Sequence, residues 1–370
     1  MPDNLRVYQT PRERRHARTE IARYAYGFIK ERDDALRAEA DALKTAEDVR
    51  AWQADIRSRL GEFFGRWPKP TPLNSRTVGT IELDFCTIEK IIIETEPGYF
   101  VPLNLYIPKD ATLPAPAVCI TMGHAAEGKG YHLYHEFALG LAHKGYIACA
   151  FDPMGQGERR SFADPPEELG REGGPVGQHH YALRAGFLVG RSLSGLRTWD
   201  GVRVIDYMLS RPEVDPERVA VGGNSGGGQM TLLLTACHPR VKCCAAAHPG
   251  GSCENTHYRS KHDIDLRLIA LIPPRPCRWI VGADSGEEMG HRSRHDWLQR
   301  FYDLLGNSEA NDFRLVNGVH DLKLPKREAA YGWYNRWLGV DVSTIEDPLE
   351  PLTAEQLWCT ETGLVETSLH

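Results

Sequence analysis

The sequence predicts an α/β fold, with a mostly parallel central sheet entered through antiparallel strands, helices on both faces and a helical extension in front. Three observations predict it. From Ala117 onward, apolar runs of strand length alternate with helix-length segments, a rhythm that right-handed crossovers convert into a parallel sheet. Before that, three strand-like runs follow one another, with Pro97-Gly98 as a turn signal, which is an antiparallel pattern. A chain of 370 residues, 41% hydrophobic and 25% charged, can also bury a full core.

The elements follow in order. Residues 1–72 read as a helical extension. Ile21, Tyr24, Phe28 and Ile29 fall at helical spacing, and Trp52, Ile56, Leu60, Phe63 and Phe64 repeat the pattern after Thr45, which can cap the second helix with Asp48. Each helix is therefore expected to pack one apolar face on the core. Trp67-Pro68-Lys69-Pro70-Thr71-Pro72 then stops any helix. A catalytic domain over 73–340 opens with strands at Ile81–Phe85, Ile88–Glu94 and Val101–Ile107. Strands at Ala117–Met122, Tyr146–Phe151, Val219–Gly222, Lys242–Ala247, Arg278–Val281 and Phe313–Val316 alternate with helices around His132–His143, Leu193–Leu209, Gly226–Cys237 and Arg327–Trp337. Two stretches interrupt the rhythm, 155–192 and 248–266. Both follow strand ends, where open α/β sheets bind ligands, so both are expected to be substrate loops or lids. Residues 341–370 form a tail.

Charge and composition exclude several functions. With 44 Lys+Arg against 50 Asp+Glu the formal charge is −6, so no chain-wide positive field exists to hold phosphate backbones or anionic lipid. No apolar stretch approaches the roughly 20 residues that span a bilayer. The Arg-rich segment Met1–Arg18 does not read as a secretory leader, and the expected location is cytoplasmic. Nine scattered cysteines without a CxxC pair read as buried free thiols.

The chemistry is concentrated after the strand at Val219–Gly222. Gly223-Asn224-Ser225-Gly226-Gly227 and an apolar helix form a GxSxG motif in strand–turn–helix context. Such a turn exposes the serine hydroxyl and aims the helix N-terminus at the carbonyl it would attack, with the Gly226 N–H as first oxyanion donor. A phosphate cradle is the competing reading, but neither a Lys-Ser/Thr ending nor a GxGxxG pattern is present. A serine needs a base, expected downstream after the last strand, and His320 in Asn317-Gly318-Val319-His320-Asp321 fits. The acid should follow the strand ending at Gly282. Asp284 is the first and shortest carboxylate there, with Glu287 and Glu288 within reach. The second oxyanion donor should come from Gly123-His124-Ala125-Ala126, through the N–H of Ala125 or Ala126.

Several blocks of this sequence together resemble the α/β-hydrolases, and within them a bacterial branch of acetyl xylan esterase-like serine esterases. They include Gly98–Tyr106, Gly123-His124 with Glu127–Gly130, Phe151–Arg159, Gly190–Leu193, Trp199-Asp200, Arg211–Pro216, the elbow at Ser225 and Leu357-Trp358-Cys359. The resemblance runs from about Arg50 to Val365 and implies the α/β-hydrolase fold, Ser225 and His320 as nucleophile and base, and short acyl groups, such as acetyl on a carbohydrate or other small alcohol. Relatives place their Asp three residues after the strand's glycine, where Ser285 stands here.

The other polar clusters carry weaker readings. His132 with His135 and His291 with His295 share helix faces, as metal ligands would, yet no third ligand matches and serine chemistry needs no metal, so packing histidines are favoured. His124, His179, His180 and Arg191 are candidate substrate contacts, the last three weighed evenly against loop hydrogen bonds. The expected function is a serine carboxylic-ester hydrolase using Ser225, His320 and Asp284, with Gly226 and Ala125 holding the oxyanion. It needs no cofactor or metal and takes a small-molecule ester, neither nucleic acid nor membrane, with a homo-oligomer left open. The alternatives are an amide or peptide hydrolase with the same triad, or a ligand-binding hydrolase fold without activity.

Overall fold

The computed structural model describes residues 10–161, 174–250 and 266–369. Its centre is a nine-stranded sheet, ordered β1-β2-β3-β5-β4-β6-β7-β8-β9. The strands are β1 (Arg76–Glu82), β2 (Cys86–Glu96), β3 (Tyr99–Pro108), β4 (Ala115–Thr121), β5 (Ile147–Phe151), β6 (Val214–Asn224), β7 (Val241–Ala247), β8 (Cys277–Gly282) and β9 (Asn311–Val316). β1, β2, β3 and β5 pair antiparallel, while every pair from β5–β4 to β8–β9 is parallel. Because the parallel strands are covered on both faces, β4, β5 and β8 are buried at every position, which explains their unbroken apolar runs.

The helices are α1 (Pro11–Ala42), α2 (Ala46–Ser58), α3 (Leu60–Phe64), α4 (His132–His143), α5 (Pro175–Leu188), α6 (Leu193–Leu209), α7 (Gly226–Cys237), α8 (Leu266–Ile269), α9 (Glu288–Leu304), α10 (Leu324–Leu338) and α11 (Val365–Leu369). Two apolar cores lie on opposite faces of the sheet. One gathers α2, α6, α7 and α9, and the other gathers α4 and α10. Among the described residues, no helix is long and apolar enough to cross a membrane.

Among the described residues, the extension docks through the end of α1, through α2 and through α3. Thr45 caps α2 as expected, its hydroxyl accepting from the Asp48 N–H at 3.1 Å while the Asp48 carboxylate accepts from the Thr45 N–H at 2.9 Å. Val49, Trp52 and Ile56 are buried, and Gln53 donates to the carbonyls of Ala270 and Pro273. In α1, Leu36 and Ala40 are buried, but Tyr24 and Phe28 stand exposed and pack edge-on against each other. The apolar face expected there does not reach the core at those two positions. The tail is fixed as well: Leu357 and Cys359 are buried, and Glu346 is paired with Arg327. The eight described cysteines are free, and seven of them are buried.

Candidate active site

Ser225 sits between β6 and α7 with φ 62° and ψ −122°, the left-handed region that a serine rarely occupies. Two glycines make the turn sterically feasible. A Cβ on Gly223 or on Gly227 would lie 2.2 Å or 2.1 Å from the Thr121 carbonyl oxygen. Peptide hydrogen bonds tie the serine to the end of β7, its N–H donating to Ala247 at 3.0 Å and its carbonyl accepting from Gly250 at 2.9 Å. α7 begins at Gly226, so the positive end of its dipole points at the ground in front of the serine.

His320 follows β9 and reaches the same end of the sheet. Its Nδ1 lies 2.9 Å from both oxygens of Glu287, in a forked contact. With Nδ1–H given to the carboxylate, the Nε2 lone pair is available for a hydroxyl proton. Asp284, the expected acid, is turned elsewhere: it is exposed, and its carboxylate accepts from the Gly318 N–H at 3.3 Å. Gly286, at φ 72°, redirects the chain after Asp284, and the next residue, Glu287, supplies the carboxylate on His320. The structure thus sets Glu287, and not Asp284, against the imidazole of His320.

Two further histidines reach Glu287. His248, wholly buried and at φ 41°, places Nδ1 2.8 Å from Oε2, and its ring lies 4.5 Å from the His320 ring. His291, one helical turn along from Glu287, places Nε2 3.4 Å from the same oxygen. Burial pushes Glu287 up, but the donors on His320, His248 and His291 outweigh it and hold the carboxyl at about 2. Burial is also the main cause that lowers His248, and it lowers His291, beside Arg294, to about 4. Neither histidine was anticipated as part of the site. The spacing of Glu287, His291 and Arg294 along one helix was the available clue. His248, Glu287 and His291 also bring ligand atoms within 4.8 Å of one another, making them the one group of described residues spaced to hold a metal ion. His295 instead contacts Asp296 at 2.9 Å, and His135 contacts Tyr106 at 2.8 Å.

On the opposite side of the serine, the β4 loop is tighter than expected. The Ala125 N–H donates to the Gly123 carbonyl at 2.8 Å inside a narrow turn. The loop instead sets the His124 imidazole against Gly226, where an added Cβ would lie 2.7 Å from Cε1 and 2.9 Å from Nδ1. His124 Nε2 is 3.1 Å from His179 Nδ1, and His179 Nε2 is 2.7 Å from the Met154 carbonyl. A carbonyl can only accept, so His179 Nε2 carries a proton, and a neutral His179 accepts from His124 through Nδ1. His124 and His179 thus bond to each other and to the backbone, whereas the side chain of His180 falls outside the described residues. Arg191 does not offer a free cation: Glu96 pairs with it at 2.6 and 3.0 Å. Met154 and Arg191 share the lining of a cavity of about 730 Å³ with Glu96, Tyr99, Arg159 and Arg160. Of the two expected substrate loops, 155–192 contributes Met154's neighbours and His179, while 251–265 of the second lies outside the described residues.

The sequence matches the acetyl xylan esterase (AXE1) family over residues 88–253 and the prolyl oligopeptidase family over residues 197–331. A putative hydrolase of Bacillus subtilis, YtaP, is 28% identical over 260 residues, covering 62% of this chain and 80% of its own. The acetyl esterase Axe7A of Xylanibacter ruminicola is 46% identical over 48 residues, 13% of this chain and 11% of its own. Among solved structures, methylesterase BT1017 superposes with a TM-score of 0.67 at 20% identity, covering 89% of this chain and 73% of its own, which speaks for the fold.

Proposed function

Because this chain is an acetyl xylan esterase-like α/β-hydrolase and a carboxylic ester hydrolase, we propose that it cleaves short acyl esters, acetyl on a carbohydrate foremost, with Ser225, His320 and Glu287 as its triad. The strained elbow at Ser225 is the observation that carries this reading. Ser225 Oγ attacks the ester carbonyl while His320 Nε2 takes its proton, and the same proton then leaves with the departing alcohol. Water repeats the exchange to release the acid and restore Ser225. Glu287 keeps Nδ1 protonated and balances the imidazolium, so the ring presents the correct nitrogen to the serine. The developing oxyanion is held by the Gly226 N–H at the start of α7, with His124 closing that side. The free, buried thiols support a reducing compartment.

A fluorophosphonate probe should label Ser225 in the folded protein, and 4-nitrophenyl esters should be turned over with a preference for acetyl. Acetylated sugars assayed beside them separate acyl from alcohol preference. An anilide matched to the ester and cleaved as fast would favour an amidase, and folded protein left unlabelled would favour a binding protein.

A further inference from the structure

Three imidazoles meet the carboxylate of Glu287, and the proton positions of two are set from outside the cluster. The Gly282 N–H donates to His248 Nε2 at 2.9 Å, so the proton of neutral His248 must sit on Nδ1, facing Glu287. Arg294 has only donors and gives one to His291 Nδ1 at 2.8 Å, so the proton of His291 sits on Nε2, again facing Glu287. A metal ion at this spot would need lone pairs where both rings carry protons. With their other nitrogens already accepting N–H groups, both rings would have to become anions to bind one. The spacing suits a cation, but the hydrogen bonds assign these rings to the carboxylate.

We propose that His248 and His291 are positioning residues, held as proton donors by Gly282 and Arg294, which fix the carboxylate of Glu287 in the orientation His320 requires. This rests on the reading of Glu287 as the triad acid. The need is physical: a glutamate has one more side-chain torsion than an aspartate, and this one is 39% exposed. His248 pins it from the β7 side and His291 from its own helix, so Oε2 receives donors from two directions. His248 also couples the acid to the nucleophile, because it stands two residues before Gly250, whose N–H holds the Ser225 carbonyl. Its positive φ aims the ring back over the sheet end.

The test pairs each removal with a substitution that keeps a donor. His248→Ala should lower kcat by roughly 10²-fold, the scale of a misplaced catalytic group, with KM little changed. His248→Asn tolerates the positive φ and carries an amide N–H near the Nδ1 position, so it should restore most of the loss. His291→Leu should lower kcat less than His248→Ala, in keeping with its longer contact, and His291→Gln should restore it. If His248→Ala does not fold, the two His291 variants decide. Wild-type kcat in His248→Ala and His291→Leu, equal losses in the donor-keeping and donor-free variants, or a change confined to KM would each overturn the proposal, provided Glu287→Gln is impaired. A fully active Glu287→Gln would instead remove the triad reading beneath it.

Discussion

Two glutamates in this molecule collect several hydrogen-bond donors each, and they are used for opposite ends. Glu158 is wholly buried beside Lys129 and Asp152. It takes an ion pair from Lys129, N–H groups from Cys359 and Thr360 at 2.9 and 2.7 Å, and the Thr360 hydroxyl at 2.6 Å. Burial pushes this carboxyl up, but the lysine and the other donors hold it below the usual range, and Lys129 is kept firmly charged. Its partners come from the tail and from the β4 and β5 loops, so the cluster is a sealed tie between segments distant in sequence. Glu287 is half open, is fed by imidazoles rather than by a lysine, and stands beside His320, which as the proposed base would gain and lose a proton. A permanent cation fixes a structure, whereas three neutral donors fix an orientation while leaving the charge of His320 free to change.

The comparison can be broken first at the reacting groups. Ser225→Ala should abolish ester turnover, by roughly 10⁶-fold as for nucleophile removal in another serine hydrolase, with an unfolding curve no weaker than that of the parent. Glu287→Gln should cost up to about 10⁴-fold in kcat, the scale seen when a triad acid is neutralised, and should also lower stability, because the ionised carboxylate that the three imidazoles hold well below its ordinary value is lost. Lys129→Met inverts the pattern. Asp152 and Glu158 would be left buried and uncompensated, so chemical denaturation should show a loss of about 3–5 kcal/mol, while the kcat of the protein that remains folded stays near the parent value.

Acid sharpens the same contrast. His135, His248 and His291 are held below the ordinary histidine value of 6.5, His135 and His291 at about 4, mainly by burial. The unfolded chain therefore binds protons near pH 6.5 that the folded chain refuses until about pH 4, so stability falls as pH drops through that window. Glu287, lowered from 4.5 to about 2, adds a loss of the same sign below pH 4.5. Urea midpoints measured from pH 7.5 to 4.5 should fall steadily. A flat profile would mean that these rings are protonated in the native state.

Much of this was legible in the sequence where local physics decides. α4, α6 and α7 run over the expected residues because each starts at a sharp change of backbone: α6 at the Ser192 cap, whose hydroxyl accepts from Gly195, and α7 at the elbow itself. Ser225 was identifiable because its glycines have one steric purpose. α9 was not placed among the alternating elements, since its buried Leu298, Phe301 and Tyr302 are interleaved with charges, and only His291 and His295 were weighed as a pair on one helix face. The blocks around Lys129, Asp152, Glu158 and Cys359 stood out as sequence without a role, because a tie spanning more than 200 residues has no local pattern. The contact of Glu287 with His320 was hidden for a related reason: distance along the chain favours Asp284, whereas a positive-φ glycine decides which carboxylate returns to the histidine.

The smallest effect is expected at Asp284 itself. Its carboxylate holds the Gly318 N–H, and its own N–H donates to the Gly318 carbonyl at 3.0 Å, so it braces the loop that carries His320 without touching the ring. Asn at this position keeps an acceptor oxygen in the same place and loses only a charge that is exposed to solvent. Asp284→Asn should therefore change kcat by no more than about two-fold, the ordinary range of a surface substitution. Measured beside Glu287→Gln, it assigns the acid directly. A large loss in Asp284→Asn with little in Glu287→Gln would return the role to the shorter side chain, and would require the loop to turn before the base can act.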